Sequence, residues 1–246
     1  MSETERGDLQ IYESSADLAA ALAARFAESA EFSITERGAF YVALAGGSTP
    51  AAAYEVLAGE PYSTQINWND VFLYFGDERC VAPDDAQSNY GLAQRTLFER
   101  IKIPAHNIHR MHGEDEPARA AQAYTRILKE DLGELPRFDL IMLGMGPDGH
   151  TASLFPGSHP SMEETALVIA PYVEALKSHR LTLTPRVINN ARHVVIATQG
   201  AGKAAALASA LHGPIEANVH PVQIVNPSDG TLTWMVDRLA ASELHA

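Results

Sequence analysis

The amino-acid sequence predicts an α/β fold in which a mostly parallel β-sheet is flanked by helices. Short apolar runs alternate with longer amphipathic stretches along the 246 residues, and this alternation is typical of parallel sheets. Glycine and polar residues follow directly after most of the apolar runs, as expected at the ligand-binding edge of such a sheet. Composition does not shift along the chain and no repeat or linker is evident, so we expect one domain over residues 1–246.

The elements are predicted from the spacing of apolar residues. Continuous apolar runs predict buried strands at residues 41–45, 71–75, 140–143, 193–198 and 222–225. Apolar residues at helical spacing predict helices at residues 15–30, 50–57, 88–101, 117–132, 202–211 and 231–244. Because the carboxyl ends of parallel strands meet at one edge of a sheet, the loops after these strands are the candidates for a functional site.

Composition excludes several classes of protein. The formal net charge is -13, from 18 basic and 31 acidic residues, and such a surface repels nucleic acid and anionic membranes. The single cysteine, Cys80, excludes intrachain disulfides and zinc sites built on two or more cysteines. The first seven residues lack the apolar core of a signal peptide, and no apolar run has membrane-spanning length. We therefore expect a cytoplasmic protein with a small-molecule partner, as a monomer or a small homo-oligomer.

The first loop of interest, Gly46-Gly47-Ser48-Thr49-Pro50, follows a strand and opens a helix. Its glycines let the backbone come close to a ligand, and exposed N–H groups at the positive end of a helix bind anions. Ser48 and Thr49 add hydroxyl groups, with Thr49 as the expected N-cap and Pro50 at the first helical position. The sequence predicts a phosphate site here, and the alternative is a tight strand-to-helix turn.

The second loop, GMGPDGH at residues 144–150, carries the candidate catalytic residues. It matches G-x-G-x-x-G formally, but the full helix and closing acidic residue of a dinucleotide site do not follow. His150 is the predicted general base, because imidazole titrates near neutrality and can take a proton from water. Asp148 can orient it, and Gly144, Gly146 and Gly149 are candidate oxyanion donors. The alternative is a structural turn with an incidental histidine.

Three cations in or near loops are candidates for anion binding. Arg79 ends the sequence GDER at residues 76–79 and can pair with a phosphate or an oxyanion, while Asp77 can accept from sugar hydroxyls. Lys203 lies at the start of a predicted helix, where a cation opposes the helix dipole unless an anion is bound. Arg180 is a second candidate clamp. The alternative for each is a solvated surface charge.

The other histidines and the cysteine do not suggest a site. His106, His109 and His112 lack the spacing of a zinc motif, so we expect no metal. No G-x-S-x-G segment is present, which leaves a serine triad unsupported. Cys80 has no matching base nearby in the sequence, and we interpret it as structural.

Five segments form a recognisable set: ALAGGSTP at 43–50, FGDER at 75–79, SNYG at 88–91, MLGMGPDGHTASLFPG at 142–157 and RLTLTP at 180–185. They resemble segments of the 6-phosphogluconolactonase family, within the glucosamine/galactosamine-6-phosphate isomerase superfamily. They occur in the family's order over nearly the whole chain, and the fourth is the most diagnostic. The resemblance implies a three-layer, Rossmann-like fold of the glucosamine-6-phosphate deaminase/ribose-5-phosphate isomerase type. It also implies an enzyme without metal or cofactor.

The resemblance further implies hydrolysis of 6-phospho-D-glucono-1,5-lactone to 6-phospho-D-gluconate, the second step of the oxidative pentose phosphate pathway. His150 resembles the residue that activates water, and Asp148 resembles its loop partner. The loop at residues 46–49, together with Arg180 and Lys203, resembles the phosphate-binding set, and Arg79 resembles a substrate contact.

Two alternatives remain open. Glucosamine-6-phosphate deaminases share GGSTP-like and G-x-D-G-H loops, but they resemble L-D-E-Y where this chain has GDER. They also have a ring-opening glutamate five residues after the loop histidine, and this chain has Phe155 there. The second alternative is a non-catalytic sugar-phosphate sensor. It would need a DNA-binding segment, which the acidic chain does not offer.

Overall fold

The computed structural model describes residues 2–4, 6–158 and 165–244 of the chain. Its strands are β1 (Ser2–Thr4), β2 (Gly7–Tyr12), β3 (Phe40–Leu44), β4 (Val71–Phe75), β5 (Asp77–Arg79), β6 (Leu140–Gly144), β7 (Val168–Ile169), β8 (Tyr172–Val173), β9 (Ser178–Leu183), β10 (His193–Thr198) and β11 (Thr231–Asp237). Its α-helices are α1 (Ser15–Arg37), α2 (Ser48–Leu57), α3 (Tyr62–Gln65), α4 (Asn89–Thr96), α5 (Pro117–Leu132), α6 (Pro185–Ile188) and α7 (Ala204–His212).

The central sheet has seven strands in the order β1-β2-β11-β10-β6-β3-β4. Strand β1 is antiparallel to β2, and the other six strands are parallel to one another. Helices α1 and α2 connect β2 to β3 and β3 to β4, so both connections run toward the β4 edge of the sheet. Because such crossovers are right-handed, the two helices lie on the same face. The helices that lead back toward β2 lie on the other face. The predicted parallel sheet between two helical layers is confirmed.

The chain reverses its direction across the sheet between β3 and β6. Strand β3 continues through α2 to β4 on one side, whereas β6 continues toward β10 on the other. In open α/β sheets, ligands bind in the crevice at the carboxyl ends of such a pair of strands. Residues 45–49 follow β3 and residues 145–150 follow β6. The topology therefore brings two of the predicted functional loops to one crevice.

A smaller antiparallel sheet follows the carboxyl end of β4. It has the order β5-β9-β7, with β8 also paired to β9, and Gly76 alone separates β4 from β5. The register puts Asp77 opposite Thr182 and Arg79 opposite Arg180. The sequence did not predict this sheet, because β5 consists of three charged residues, β7 and β8 have only two residues each, and β9 mixes polar with apolar residues, so none shows a clear period.

Helix ends follow capping residues. The hydroxyl of Ser14 accepts a hydrogen bond from the Asp17 amide at the start of α1, and Gly38 ends this helix with φ of 81°, as is typical of a left-handed C-cap. Glu116 caps α5 through two amides of its first turn. None of the helices in the described ranges combines the length and apolar character needed to cross a membrane.

The core explains which strands were predicted correctly. Strands β3, β4, β6 and β10 have almost all of their side chains buried. Strands covered on both faces are expected to be continuously apolar. Large buried rings, including Phe26, Phe40, Tyr54, Tyr74 and Trp234, fill the space between sheet and helices, and burying one large apolar side chain contributes about 1.5–3 kcal/mol.

Two predicted elements are wrong. Residues 222–225, predicted as a strand, lie largely in a 3-10 helix, Pro221–Ile224. Residues 231–244, predicted as a helix, begin with strand β11 and end with a 3-10 helix, Ala240–Glu243. Short apolar runs do not distinguish buried strands from helices by periodicity, and pairing with β10 and β2 decides the conformation of β11. Strand β2 was not predicted either.

Candidate active site

A cleft of about 210 Å³ opens at the crevice between the carboxyl ends of β3, β6 and β10. Residues predicted from separate loops line it together: Gly46, Gly47, Ser48, Thr49, Asp77, Arg79, Gly144, Gly146, His150 and Lys203. Asp148 and Gly149 belong to the loop that carries His150. Residues 46–49, called the phosphate loop after their predicted role, and the candidate base His150 therefore share one cavity, as the sequence-based hypothesis requires.

The phosphate loop presents the open end of α2 to the cleft. Gly47 is the N-cap, with φ of 98° and ψ of 172°, a conformation that side-chain-bearing residues rarely adopt. The helix starts at Ser48, so the predicted N-cap Thr49 and the predicted first residue Pro50 are both inside it. No side chain caps α2 in the described part of the chain. The first amides therefore remain available to an anion.

His150 and Asp148 form a hydrogen-bonded pair. The His150 Nδ1 atom lies 2.6 Å from Asp148 Oδ1. Burial raises the pKa of Asp148, but the charge and hydrogen bonds of His150 outweigh burial, so the pKa of this carboxyl lies below its ordinary value. An ionised carboxylate favours the imidazole tautomer with its proton on Nδ1, which leaves the Nε2 lone pair free to accept a proton.

The His150 loop is fixed by its own backbone. The Gly146 amide donates to His150 O at 2.8 Å, and the Gly149 amide donates to Gly146 O at 3.1 Å. Gly144 pairs with Ala197 in the central sheet. The amides of Gly146 and Gly149 therefore already have acceptors within the loop, whereas the role of Gly144 as an oxyanion donor stays a prediction. Gly146 also shapes the loop, because a Cβ atom there would lie only 2.1 Å from His150 Nδ1.

Two further contacts hold this loop. Phe155 stacks on the His150 ring, with centroids 4.4 Å apart and an angle of 27° between the planes. The Val222 amide donates to Gly149 O at 2.9 Å. The 3-10 helix Pro221–Ile224, wrongly predicted as a strand, thus braces the loop that carries the candidate base.

Lys203 provides a positive charge in the cleft. Burial lowers the pKa of Lys203, and the charge of Asp148 opposes this effect. Lys203 is the N-cap of α7, where the helix dipole disfavours a cation. An anion bound in the cleft would offset both the burial and the dipole.

Arg79 and Arg180 face each other across β5 and β9. Arg79 lines the cleft, whereas the predicted clamp Arg180 lies outside its lining and is 91% buried, with 9% of its surface exposed. Burial and the charge of Arg79 lower the pKa of Arg180. Within the described ranges, both guanidinium groups donate to carbonyl or hydroxyl oxygens rather than to carboxylates. Like charges on opposite strand residues repel, and a nearby anion would reduce this repulsion.

Sequence reasoning missed the residues that hold Asp77. Ser153 Oγ donates to Asp77 Oδ2 at 2.6 Å, and Asn89 Nδ2 donates to Asp77 Oδ1 at 3.1 Å. Both side chains are almost fully buried. Both occur in the quoted family segments, but neither is charged and no motif marks Ser153 as a nucleophile, so residue type gave no signal of these contacts. Gln199, which follows β10, also lines the cleft and donates to Ser48 Oγ at 3.5 Å.

Glu78 fixes the turn from β5 into α4. Its carboxylate accepts hydrogen bonds from the amides of Arg79, Asn89 and Tyr90 and from the Ser88 hydroxyl. Burial raises the pKa of Glu78, and the three backbone hydrogen bonds oppose this rise. The side chain therefore connects the Arg79 backbone to the start of α4 rather than facing a ligand.

The other titratable side chains singled out in the sequence lie outside the cleft lining. His109 stacks on Tyr74, with centroids 4.4 Å apart, and its Nδ1 atom lies 3.4 Å from Asp131. Cys80 is half-buried, and burial raises the pKa of its thiol. In the described ranges, no group of three or more His, Cys, Asp or Glu side chains is arranged to hold a metal ion.

Known proteins share this sequence and fold. A 6-phosphogluconolactonase from Aggregatibacter actinomycetemcomitans is 38% identical over 204 residues, which covers 83% of this chain and 87% of the relative. The solved structure of a 6-phosphogluconolactonase from Trypanosoma cruzi is 28% identical, with a TM-score of 0.87 over 99% of each chain. A monomeric glucosamine-6-phosphate deaminase shares the fold, with a TM-score of 0.82 over 96% of this chain and 99% of the deaminase at 19% identity.

A sequence model described as glucosamine-6-phosphate isomerases/6-phosphogluconolactonase matches residues 13–234, which is most of the chain. The resemblance and fold type predicted from the loop motifs are therefore confirmed. The chain belongs to the glucosamine-6-phosphate isomerase/6-phosphogluconolactonase family.

Proposed function

We propose that this chain is a cytoplasmic 6-phosphogluconolactonase, which hydrolyses 6-phospho-D-glucono-1,5-lactone to 6-phospho-D-gluconate without metal or cofactor. The names of relatives support a lactone hydrolase. One observation carries the proposal. The open end of α2 and His150 line the same cleft, and Asp148 adjoins it through its hydrogen bond to His150. A phosphate and a reacting carbonyl of one small substrate need these two features close together.

The substrate phosphate docks on the loop at residues 46–49. The amides of Ser48 and Thr49 and their hydroxyls donate to phosphate oxygens, and Lys203 supplies the charge. Arg180, behind Arg79, adds to the positive potential without direct contact in the cleft. Such local charge is required because the protein as a whole, with a net charge of -13, repels an anionic substrate.

The reaction begins when His150 Nε2 takes a proton from water while the oxygen attacks the lactone carbonyl carbon. Asp148 stabilises the imidazolium that forms, through its hydrogen bond to Nδ1. Arg79 stabilises the oxyanion, since the glycine amides of the His150 loop are already paired. The bond from the carbonyl carbon to the ring oxygen then breaks, and His150 returns its proton to that oxygen. General-base catalysis of this kind contributes about 10²–10⁴-fold.

A coupled assay tests the proposal. Freshly made 6-phosphogluconolactone is mixed with 6-phosphogluconate dehydrogenase and NADP, and the spontaneous rate of hydrolysis is subtracted. We expect NADPH to appear faster, in proportion to the amount of protein added. A rate equal to the spontaneous rate at all protein concentrations would refute the proposed activity.

The deaminase alternative predicts a different product. Phe155 occupies the position of the deaminase glutamate, and its ring stacks on His150 at 4.4 Å, so no carboxylate is available there for ring opening. We expect no ammonia from glucosamine 6-phosphate. Ammonia release at a rate comparable to lactone hydrolysis would favour the deaminase instead.

A further inference from the structure

Asn89 lies between two parts of the candidate site. It is the first residue of α4, and only 1% of its surface is exposed. Its Nδ2 atom donates to Asp77 O at 2.9 Å and to Asp77 Oδ1 at 3.1 Å. On the other side, its Oδ1 atom abuts the Cα of Gly46, because a Cβ added to Gly46 would lie only 1.7 Å from that oxygen.

The oxygen of this amide has no hydrogen-bond donor within the described part of the chain. A buried acceptor without a partner destabilises the folded protein, so its position needs an explanation. Contact with Gly46 provides one: the Asn89 side chain spans the gap between the phosphate loop and the strand that carries Asp77. Shortening the side chain would open this gap.

The Asp77 carboxylate needs such a support. It lines the same cleft as the phosphate loop, where a carboxylate that turned toward a bound phosphate would repel it. Asn89 donates to one carboxylate oxygen and Ser153 donates to the other, at 2.6 Å. Donors on both oxygens fix the plane of the carboxylate and offset part of its charge.

We propose that Asn89 is a positioning residue, which sets the separation of Asp77 from the phosphate loop and so controls substrate affinity at this site. The proposal rests on the proposed function, in which residues 46–49 hold the phosphate, and adds that Asp77 accepts from sugar hydroxyls, as the sequence predicts. Asn89 itself touches no substrate. It acts through Asp77 and Gly46.

Asn107 provides a matched control. It is also 1% exposed, its Nδ2 atom donates to the carbonyls of Asn69 and Val71 at 2.9 and 3.0 Å, and its Oδ1 atom likewise lacks a donor in the described ranges. These contacts are at the amino end of β4, the opposite end from the cleft. Asn89→Ala and Asn107→Ala therefore remove equivalent buried amides, one beside the site and one far from it.

The first measurement compares the two variants at a temperature where thermal unfolding shows both to be folded. We expect Asn89→Ala to lower kcat/KM about 10- to 100-fold, mainly through KM, because small displacements of positioning groups have effects of this size. Asn107→Ala should stay within about twofold of the parent protein. Equal activity losses in the two variants would overturn the proposal, since a general structural role predicts that result.

The second measurement is a double-mutant cycle with Asp77→Ala. If Asn89 acts through Asp77, removing Asn89 from the Asp77→Ala protein should change kcat/KM by about threefold at most, through the remaining contact with Gly46. The same fold-loss in both backgrounds would contradict the proposal. If Asn89→Ala does not fold, Asn89→Ser, which keeps a small polar side chain, takes its place in the cycle.

The outcome is separable from that of the proposed function. If the parent protein hydrolyses no lactone, the proposed function fails, and the cycle is repeated with Kd for 6-phosphogluconate measured by calorimetry. Weaker binding in Asn89→Ala, with Asn107→Ala unchanged, still supports the positioning role. Identical Kd values in all variants overturn it.

Discussion

Replacing Asp148 by Asn should slow catalysis while leaving the fold almost unchanged. The carboxylate oxygen of Asp148 lies 2.6 Å from His150 Nδ1, and the two side chains are 45% and 30% exposed. An exposed pair of this kind adds about 0–1 kcal/mol to stability. In the proposed reaction the same hydrogen bond would stabilise a developing imidazolium. A hydrogen bond to a charged group contributes about 1.5–3 kcal/mol, equivalent to about 10- to 150-fold in kcat.

The assay measures kcat and KM of Asp148→Asn by coupled NADPH formation, together with its thermal unfolding. We expect kcat to fall by a factor in this range, KM to change little and Tm to stay within a few degrees. Glu114→Gln is the control, because Glu114 forms an ion pair with Arg110 at 2.6 Å outside the cleft lining, and it should leave kcat unchanged. An Asp148→Asn protein with the parent kcat would refute the role of the pair.

The pH dependence of stability from this carboxyl has a definite sign. Because the pKa of Asp148 is lower in the folded protein than its ordinary value, its contribution is present above the unfolded-state pKa of about 4. It is lost as the pH falls through the lower folded-state value. Between pH 5 and 8, the stability of Asp148→Asn should therefore change with pH as much as that of the parent. The two proteins should differ in pH dependence only in acid, where the parent loses this contribution.

Three further predictions concern Gly46, Lys203 and His193. Gly46→Ala should lower the free energy of unfolding by about 1–3 kcal/mol or more in a denaturant titration, because the new Cβ would lie 1.7 Å from Asn89 Oδ1. Gly202→Ala is the control: its Cβ would have no atom within 4 Å, so the same titration should show no change. Lys203→Met should raise KM about tenfold or more with little change in kcat, and an unchanged KM would remove Lys203 from the phosphate site. Burial and the charge of Arg25 lower the pKa of His193 to about 4, so folding disfavours its protonation and stability is lost as the pH falls from about 6.5 toward 4. That loss is about 2 kcal/mol between pH 7 and pH 5, and His193→Gln should lose less over this interval in urea unfolding.

The sequence predicted those parts of the fold whose conformation follows from a local pattern of residues. Strands β3, β4, β6 and β10 are buried on both faces, so continuous apolar runs identified them. The loops that follow β3 and β6 were recognisable because glycine, hydroxyl and imidazole groups at the carboxyl edge of a parallel sheet have few structural reasons to be there. These local patterns were sufficient to predict that His150 and residues 46–49 line one cleft.

The parts that were missed depend on pairing between distant segments. Strand β11 is decided by its ladder with β10 and β2, and its first two residues, Thr231 and Leu232, are not fully buried, so no local period distinguished it from a helix. The Arg79–Arg180 pair depends on the register of β5 against β9. Asn89 contacts residues 12 and 43 positions before it in the chain, Asp77 and Gly46, and a neutral amide carries no sequence signal of such contacts.

The kcat of His150→Ala with freshly prepared 6-phosphogluconolactone tests the central claim most directly. General-base catalysis by a single imidazole predicts a fall of about 10²–10⁴-fold with KM nearly unchanged, in a protein whose thermal unfolding matches that of the parent. A His150→Ala protein that hydrolyses the lactone at the parent rate would contradict the account.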